Sequence, residues 1–401
     1  MEPLEYVRAQ FQRYYETRGV IPPTSMEQRE FAMTQFGRSG MWRHIGFRTE
    51  EEMRAAFARH APAAVYYSTA YYTRPSAGTM PEKDWLGADL VFDLDADHIK
   101  GAEGLQYHEM LQRVKEEFIK LLEDFILSDL GFAPEHVKVA FSGARGYHAH
   151  VTDPKVRGLR SHERREIVDY IGAVGLDPDW LFPPEAAYAR GAGRWKRTFY
   201  RRLFRSEGTG GWAGIVRRCL PDILRELEGM DKKDALKVLC DVPGVGEVGA
   251  RRLYDDLFKG AVGTRGMDKI INEWRVEAFS EDRHRHAFIG LVKQRVEVSL
   301  TGEADEPVTS DVKRLIRLPG TLHAKTGFVA VPLQLDAIKE FDPFRDALQP
   351  TLSSAPIRLI GVKDAVVRFG STDLKISEGD EIEVPEPIAL FLVCQRLSAP
   401  V

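Results

Sequence analysis

Three cysteines in 401 residues, at 219, 240 and 394, are too few and too scattered to write a disulfide framework or a four-cysteine zinc site. Long apolar runs are missing too, and no stretch reaches membrane-spanning length. The start, Met1-Glu2-Pro3-Leu4-Glu5-Tyr6-Val7-Arg8, has neither the basic cluster nor the apolar core of a secretion signal. A cytoplasmic protein with no membrane segment is expected. No G-x-x-x-x-G-K-[ST] loop occurs, so any use of nucleotides need not be that of a P-loop ATPase. Internal repeats and low-complexity tracts are absent as well. A net charge of −4 argues against a chain that coats nucleic acid by bulk electrostatics.

What is there is the composition of a globular protein, 43% hydrophobic and 29% charged, long enough for one large or two modest domains. Its most informative stretch is Gly87-Ala88-Asp89-Leu90-Val91-Phe92-Asp93-Leu94-Asp95-Ala96-Asp97-His98. On a strand, Asp93 and Asp95 share one face while Leu90, Phe92 and Leu94 take the other. Two adjacent carboxylates repel, and a cation or a shared proton must relieve them. A divalent cation that also meets nucleotide phosphates would do so; a turn or helix cap is the alternative. An EF-hand is excluded, because a loop starting at Asp93 needs Gly at His98 and Glu at Gly104. Asp97 reads as a capping or loop residue beyond the strand.

The pattern along the chain is α+β. Helices with short β-like passages at 30–33 and 41–47 precede an aromatic strand, Val65–Tyr72, and the acidic strand. Leu111, Val114, Phe118, Leu121, Leu122 and Phe125 recur at helical spacing up to Gly131. Strands Val137–Phe141 and Tyr147–Val151 follow, then a helical pattern over 210–285. Strand signals return at Val308–Ile316 and Gly327–Leu333, and apolar and polar residues alternate from Ile357 to Val393. The expected organisation is a core of mixed β-sheets flanked by helices, split into 1–209 and 286–401 by a helical insertion at 210–285, with a β-rich C-terminal extension.

Two connectors have the composition of phosphate cradles. Ser142-Gly143-Ala144-Arg145-Gly146-Tyr147-His148 joins small residues, where backbone can approach a ligand, to one guanidinium and one imidazole. An ordinary hairpin turn is its simpler reading. The stretch from Asp305 to His323 supplies a carboxylate, then Arg317 and His323 around a turn fixed by Pro319 and Gly320. Arg190, Arg194, Lys196, Arg197, Arg201, Arg202 and Arg205 interleave with Trp195, Phe199, Tyr200 and Phe204, a mixture suited to phosphates and stacked bases or to a solvated face over a core. Asp241-Val242-Pro243-Gly244-Val245-Gly246-Glu247 resembles the turn of a helix-hairpin-helix, which offers backbone N–H groups to a DNA phosphate or simply packs two helices.

Taken together, Arg29-Glu30-Phe31, Trp85 to His98, Ser142 to His148, and Asp305 to His323 with Lys325-Thr326-Gly327 make the chain resemble the small, catalytic subunit of archaeal and eukaryotic DNA primase. The pieces occur in family order and span most of the sequence. The resemblance implies a primase-type catalytic core with a metal triad at Asp93, Asp95 and Asp305, Asp311 being the alternative third carboxylate, holding Mg²⁺ or Mn²⁺. It further implies nucleotide-phosphate contacts from Ser142, Arg145, His148, Arg317 and His323, with Arg43 a further candidate. Ala144 stands where some members carry a second basic residue. The activity implied is DNA-templated synthesis of RNA primers from nucleoside triphosphates, with single-stranded DNA as template. The partner implied is a primase large subunit carrying an iron–sulfur cluster, which would form a heterodimer with this chain in the primosome.

The same acidic cluster would serve a two-metal nuclease, although a diester substrate has less need of several basic groups. A non-catalytic DNA-binding scaffold subunit is the remaining alternative. Family members usually carry a Cys/His zinc motif near the acidic strand, whereas here only His98 and His108 follow Asp95, with no cysteine. No structural zinc is predicted: elemental analysis of the purified chain should find none in stoichiometric amount, and one Zn per chain would contradict this reading.

Overall fold

The computed structural model of the chain describes residues 1–98, 105–174, 184–190, 197–202, 211–274, 279, 282–296, 306–349, 355–370 and 372–401, with 184–190 and 197–202 described by backbone alone. The chain begins with α1 (Pro3–Thr17), β1 (Phe31–Thr34), β2 (Trp42–Ile45), α2 (Glu50–His60), β3 (Ala64–Ser68), β4 (Ala70–Tyr72), the single turn α3 (Met80–Lys83), β5 (Trp85–Ala88) and β6 (Leu90–Asp95). Next come α4 (Tyr107–Lys120), a π-helical stretch (Leu121–Asp129), β7 (Val137–Phe141), β8 (Gly146–Val151), α5 (Ser161–Ile171), β9 (Pro184–Arg190) and β10 (Arg197–Arg202). Helices α6 (Gly211–Gly229), α7 (Lys232–Cys240), α8 (Glu247–Phe258), α9 (Gly266–Glu273) and α10 (Asp282–Val296) follow. The last part holds α11 (Glu306–Ser310), β11 (Leu315–Arg317), β12 (Pro332–Leu333), α12 (Pro343–Asp346), β13 (Ile357–Gly361), β14 (Ala365–Phe369), β15 (Thr372–Ile376), β16 (Glu381–Val384), α13 (Glu386–Cys394) and β17 (Ser398–Pro400).

These elements form two compact units, Met1–Ile119 with Phe132–Val168 and Ser299–Val401, and Lys120–Gly131 with Asp169–Val298. The first holds two four-stranded sheets, ordered β11-β3-β1-β2 and β12-β7-β8-β6. The fold class is α+β, but the expected mixed sheets do not occur: every strand pair among the described residues is antiparallel. Parallel neighbours need a crossover that returns the chain in the same direction, and here β7 and β8 form a hairpin while β6 enters antiparallel on the far side of β8.

Two further expectations are corrected. Val308–Ile316 is not one strand, since 306–310 is the helix α11 and only 315–317 pairs with β3. The alternation from Ile357 holds through β16, with a turn at Gly379–Asp380, but Glu386–Cys394 is a helix. Pro387 in its first turn favours helical φ, and Ala389, Leu390, Phe391, Leu392 and Val393 are buried on all sides. A helix buried all round carries no periodic signal.

The core of the first unit is aromatic. β6 buries Leu90, Phe92 and Leu94, and α4 buries Leu111, Val114 and Phe118. Phe118 stacks on Tyr147 of β8 with ring centroids 5.4 Å apart, and Phe328 stacks on Phe391 at 4.9 Å. In the second unit α6 turns Trp212, Ile215, Leu220, Leu224 and Leu227 inward, and the Trp212 Nε1–H donates to the Tyr170 carbonyl at 2.8 Å. The hairpin-like turn between α7 and α8 has Gly244 at φ +81° and Gly246 at the start of α8.

One buried cation ties the first unit together. Arg29 donates to the carbonyls of Ser68 at 3.0 Å and Thr69 at 2.7 Å, where β3 passes into β4, and to Asp89 Oδ2 at 2.7 Å just before β6. The Tyr71 hydroxyl donates to the other Asp89 oxygen at 2.7 Å, and the Tyr71 ring lies 3.6 Å from the guanidinium carbon. Arg29 and Asp89 are both almost wholly buried, so removing one strands the other charge without water. Arg29→Ala should therefore lower stability by about 3–5 kcal/mol, read as a drop in urea midpoint; a midpoint equal to that of the unmodified chain would refute the role.

Candidate active site

The site is built on the register of β6 against β8. Antiparallel pairing sets Asp93 opposite His148 and Asp95 opposite Gly146. His148 Nε2 donates to Asp93 Oδ1 at 3.2 Å. Burial opposes charge at Asp93, but the attraction and hydrogen bond of His148, followed by Arg314 and His150, outweigh it and hold the carboxyl below its usual range. Gly146 makes the approach possible, because a Cβ there would lie 2.5 Å from the Leu94 carbonyl oxygen. Both carboxylates are only partly covered and share a strand face, as period two requires.

The β7–β8 connector is shaped by its own polar groups. The Ser142 N–H donates to the Gly146 carbonyl at 2.9 Å, and the Ser142 hydroxyl oxygen accepts from the N–H groups of Ala144 at 3.3 Å and Gly146 at 3.1 Å. Gly143 has φ +82°, and a Cβ there would meet His323 Cβ at 3.1 Å and the Ala330 nitrogen at 3.2 Å. The loop thus packs directly on the 323–330 segment, where the Thr326 hydroxyl donates to the Gly143 carbonyl at 2.5 Å. At its tip Arg145 clamps Asp97 with both terminal nitrogens, one contact being 2.6 Å, and lies 3.5 Å from Asp95 Oδ1.

Arg317 and His323 close the basic side. Arg317 lies opposite Tyr66 on β3 and donates to its hydroxyl at 3.2 Å, while its Nη1 is buried with no hydrogen-bond partner among the described residues. Burial lowers its pKa. His323 Nδ1 accepts from the Lys325 N–H at 3.2 Å, which leaves the ring proton on Nε2 as a donor. Burial, reinforced by Arg317, Lys325 and Arg145, pushes its pKa down to about 2.

Asp93, Asp95, Ser142, Arg145, His148, Arg317 and His323 are thereby brought into one neighbourhood. Asp305 lies outside the described residues, as do Arg194, Lys196 and Arg205 of the basic stretch. Asp311 is exposed, accepts from the Lys313 N–H at 2.9 Å, and acts electrostatically on Tyr72 and Arg164. Among the described residues no group of three or more His, Cys, Asp or Glu gathers to hold a metal ion. Arg43 stands apart: β2 is the edge opposite β11, and its guanidinium pairs with buried Glu30 at 3.2 Å. Glu30 also accepts from the His44 N–H at 3.1 Å and from Lys83.

Sequence reasoning missed three participants. Asp97 is more than a capping residue, since it holds Arg145; its only signal was a third acid at spacing two. Tyr66, partner of Arg317, was one aromatic residue among several in its strand. Arg314 acts on Asp93, although in its segment only Asp305, Asp311, Arg317 and His323 stood out.

The profile of the family described as DNA primase small subunit matches residues 92–335. The chain belongs to the DNA primase small subunit family. It is similar to the DNA primase small subunit PriS of Methanococcoides burtonii, 39% identical over 97% of this chain and 96% of that protein. The PriS proteins of Methanocella arvoryzae and Methanothrix thermoacetophila are each 37% identical over 97% of this chain, covering 96% and 97% of their own lengths. With the family comes its activity, the nucleotidyl transfer that makes RNA primers.

The buried imidazoles of this primase subunit make stability depend on pH. His150 on β8 is held by burial at a pKa of about 3, and His323 at about 2, against about 6.5 in an unfolded chain. Below that value the unfolded state takes up protons that the folded state refuses, so stability falls with falling pH. Each histidine should cost about 2 kcal/mol by pH 5. His150→Gln should remove about that much of the difference between urea midpoints at pH 7 and pH 5; an unchanged difference would contradict a buried neutral ring.

Proposed function

We propose that the Asp93–Asp95 face is the catalytic centre for DNA-templated primer synthesis, within a primase-type core, and that Arg145, His148, Arg317, His323 and Ser142 serve the incoming nucleoside triphosphate. The observation that carries this reading is the pairing of β6 with β8, which sets two carboxylates beside a histidine and an arginine. Their hard oxygen donors fit Mg²⁺ or Mn²⁺, and Asp93 is held ionised for such a role. When bound, two such cations lower the pKa of an attacking 3′-hydroxyl and carry the charge of the departing pyrophosphate. Asp305 is our third carboxylate: support comes from α11, which starts at the next residue and packs against β6.

The protein's own groups do the orienting. Arg317 offers an unpartnered, desolvated Nη1 to a phosphate oxygen, an interaction strong in a dry site. His323 supplies one N–H from Nε2 without adding a formal charge. Arg145 exchanges Asp97 for the triphosphate as the nucleotide enters. Ser142 contributes chiefly by fixing the loop through its two accepted hydrogen bonds, and Arg43, bound to Glu30, is assigned to the nucleic-acid strand.

We further infer a single-stranded DNA template, a large-subunit partner in a heterodimer, and action in the cytoplasm. The basic hairpin β9–β10 and the α7–α8 turn are candidate contacts for DNA.

Labelled nucleoside triphosphates, single-stranded template and Mg²⁺ or Mn²⁺, with no primer added, should yield short RNA products. Shortened template in place of new RNA would favour a nuclease. Asp95→Ala should reduce synthesis by a factor of at least 10³ while the thermal midpoint stays within a few degrees. Arg317→Ala should raise the nucleotide KM about 10- to 100-fold, the loss of about one charge-assisted hydrogen bond. Synthesis at the normal rate by Asp95→Ala, or an unaltered KM in Arg317→Ala, would reject the corresponding role.

A further inference from the structure

Beside the catalytic face lies a cavity of about 290 Å³ that the reaction does not use. Its wall contains none of Asp93, Asp95, Arg145, Arg317 or His323. Pro22, Pro23 and Pro319 give it flat apolar surfaces, and Ile21, 71% exposed, stands at its rim. Such a shape takes a planar ring system.

The polar groups are few and specific. His150 is 96% buried, since only 4% of it is exposed, and its Nε2 has no hydrogen-bond partner among the described residues. Its ring is fixed from the other side, where Nδ1 shares a hydrogen bond of 3.3 Å with the Tyr67 hydroxyl and the two rings stack within 7° of parallel. A buried nitrogen without a partner costs free energy unless a ligand or water meets it. Lys138 stands directly opposite His150 in the β7–β8 pairing, so both side chains share one face. Among the described residues it meets the neutral Thr24 hydroxyl, at 2.6 Å. The other charges on the wall, Arg29 and Asp89, neutralise each other. The residues of the wall therefore include one lysine with no carboxylate partner among the described residues and one histidine with an unpartnered ring nitrogen.

We propose that this cavity is a binding site for a nucleoside monophosphate: a flat heteroaromatic base against the proline walls and hydrogen-bonded to His150 Nε2, with its phosphate on Lys138. Its volume is at the small end of ligand sites, suited to a base, a sugar and one phosphate and too small for a triphosphate. The site is separate from the proposed nucleotide-binding residues and needs no divalent cation.

The full-length chain in EDTA is titrated by calorimetry with AMP, GMP, CMP and UMP and with the four uncharged nucleosides. At least one monophosphate should bind, and its nucleoside at least tenfold more weakly. Lys138→Ala should weaken binding at least fivefold, and Ile21→Trp should abolish it by filling the rim. Both positions are exposed, and an unchanged circular dichroism spectrum verifies folding. Asp95→Ala should bind as the unmodified chain does. The proposal is overturned if no monophosphate binds up to millimolar concentration, if Lys138→Ala and Ile21→Trp both bind normally, or if Asp95→Ala removes the binding, which would assign it to the catalytic face.

Discussion

The antiparallel register between β6 and β8 is the constraint on which the proposed active site rests. Side chains on paired strands meet their partners at fixed positions, so one register sets His148 on Asp93 and Gly146 beside Asp95. A slip of one residue would turn Asp93 and Asp95 into the core and bring Leu94 to the surface. The burial of Leu90, Phe92 and Leu94 makes that slip expensive, so the apolar face of β6 secures the geometry of its acidic face.

Around this pair the molecule handles charge by enclosing it. Arg29 with Asp89, and Glu30 with Arg43 and Lys83, are buried or half-buried groups that hold the turns leading into the site strands. Arg164 adds hydrogen bonds to the carbonyls of Ala88 and Asp89 at 2.8 and 2.7 Å, so the backbone entering β6 is held from two directions. Breaking such a pair is costlier than never having formed it. Arg317 differs: it is buried too, but one of its nitrogens has no hydrogen-bond partner among the described residues.

The two cradle segments are far apart in the sequence of the first unit, and their junction depends on a glycine. At Gly143 the left-handed backbone and the absence of a Cβ let the β7–β8 loop lie against His323 and Ala330. The same contact brings His323 near enough to feel Arg145 and Arg317, and the field of these cations helps burial to keep its ring neutral. The base of the site is therefore closely packed. Arg145, by contrast, is part-exposed and paired with the exposed Asp97.

Local pattern alone determined the shared face of Asp93 and Asp95, the helical face of Leu111, Val114 and Phe118, the β7–β8 hairpin and the resemblance to a primase, because period and motif order are properties of neighbouring residues. It misread Glu386–Cys394 as alternating, since a helix buried on every side has no polar face to mark its period. Tertiary structure decided which carboxylate each cation meets: Arg43 went to Glu30, Arg145 to Asp97, and His148 to Asp93, while Arg317 kept a free nitrogen. Coulomb attraction acts through space between groups that folding brings within a few ångströms, and their separation along the chain holds no record of it.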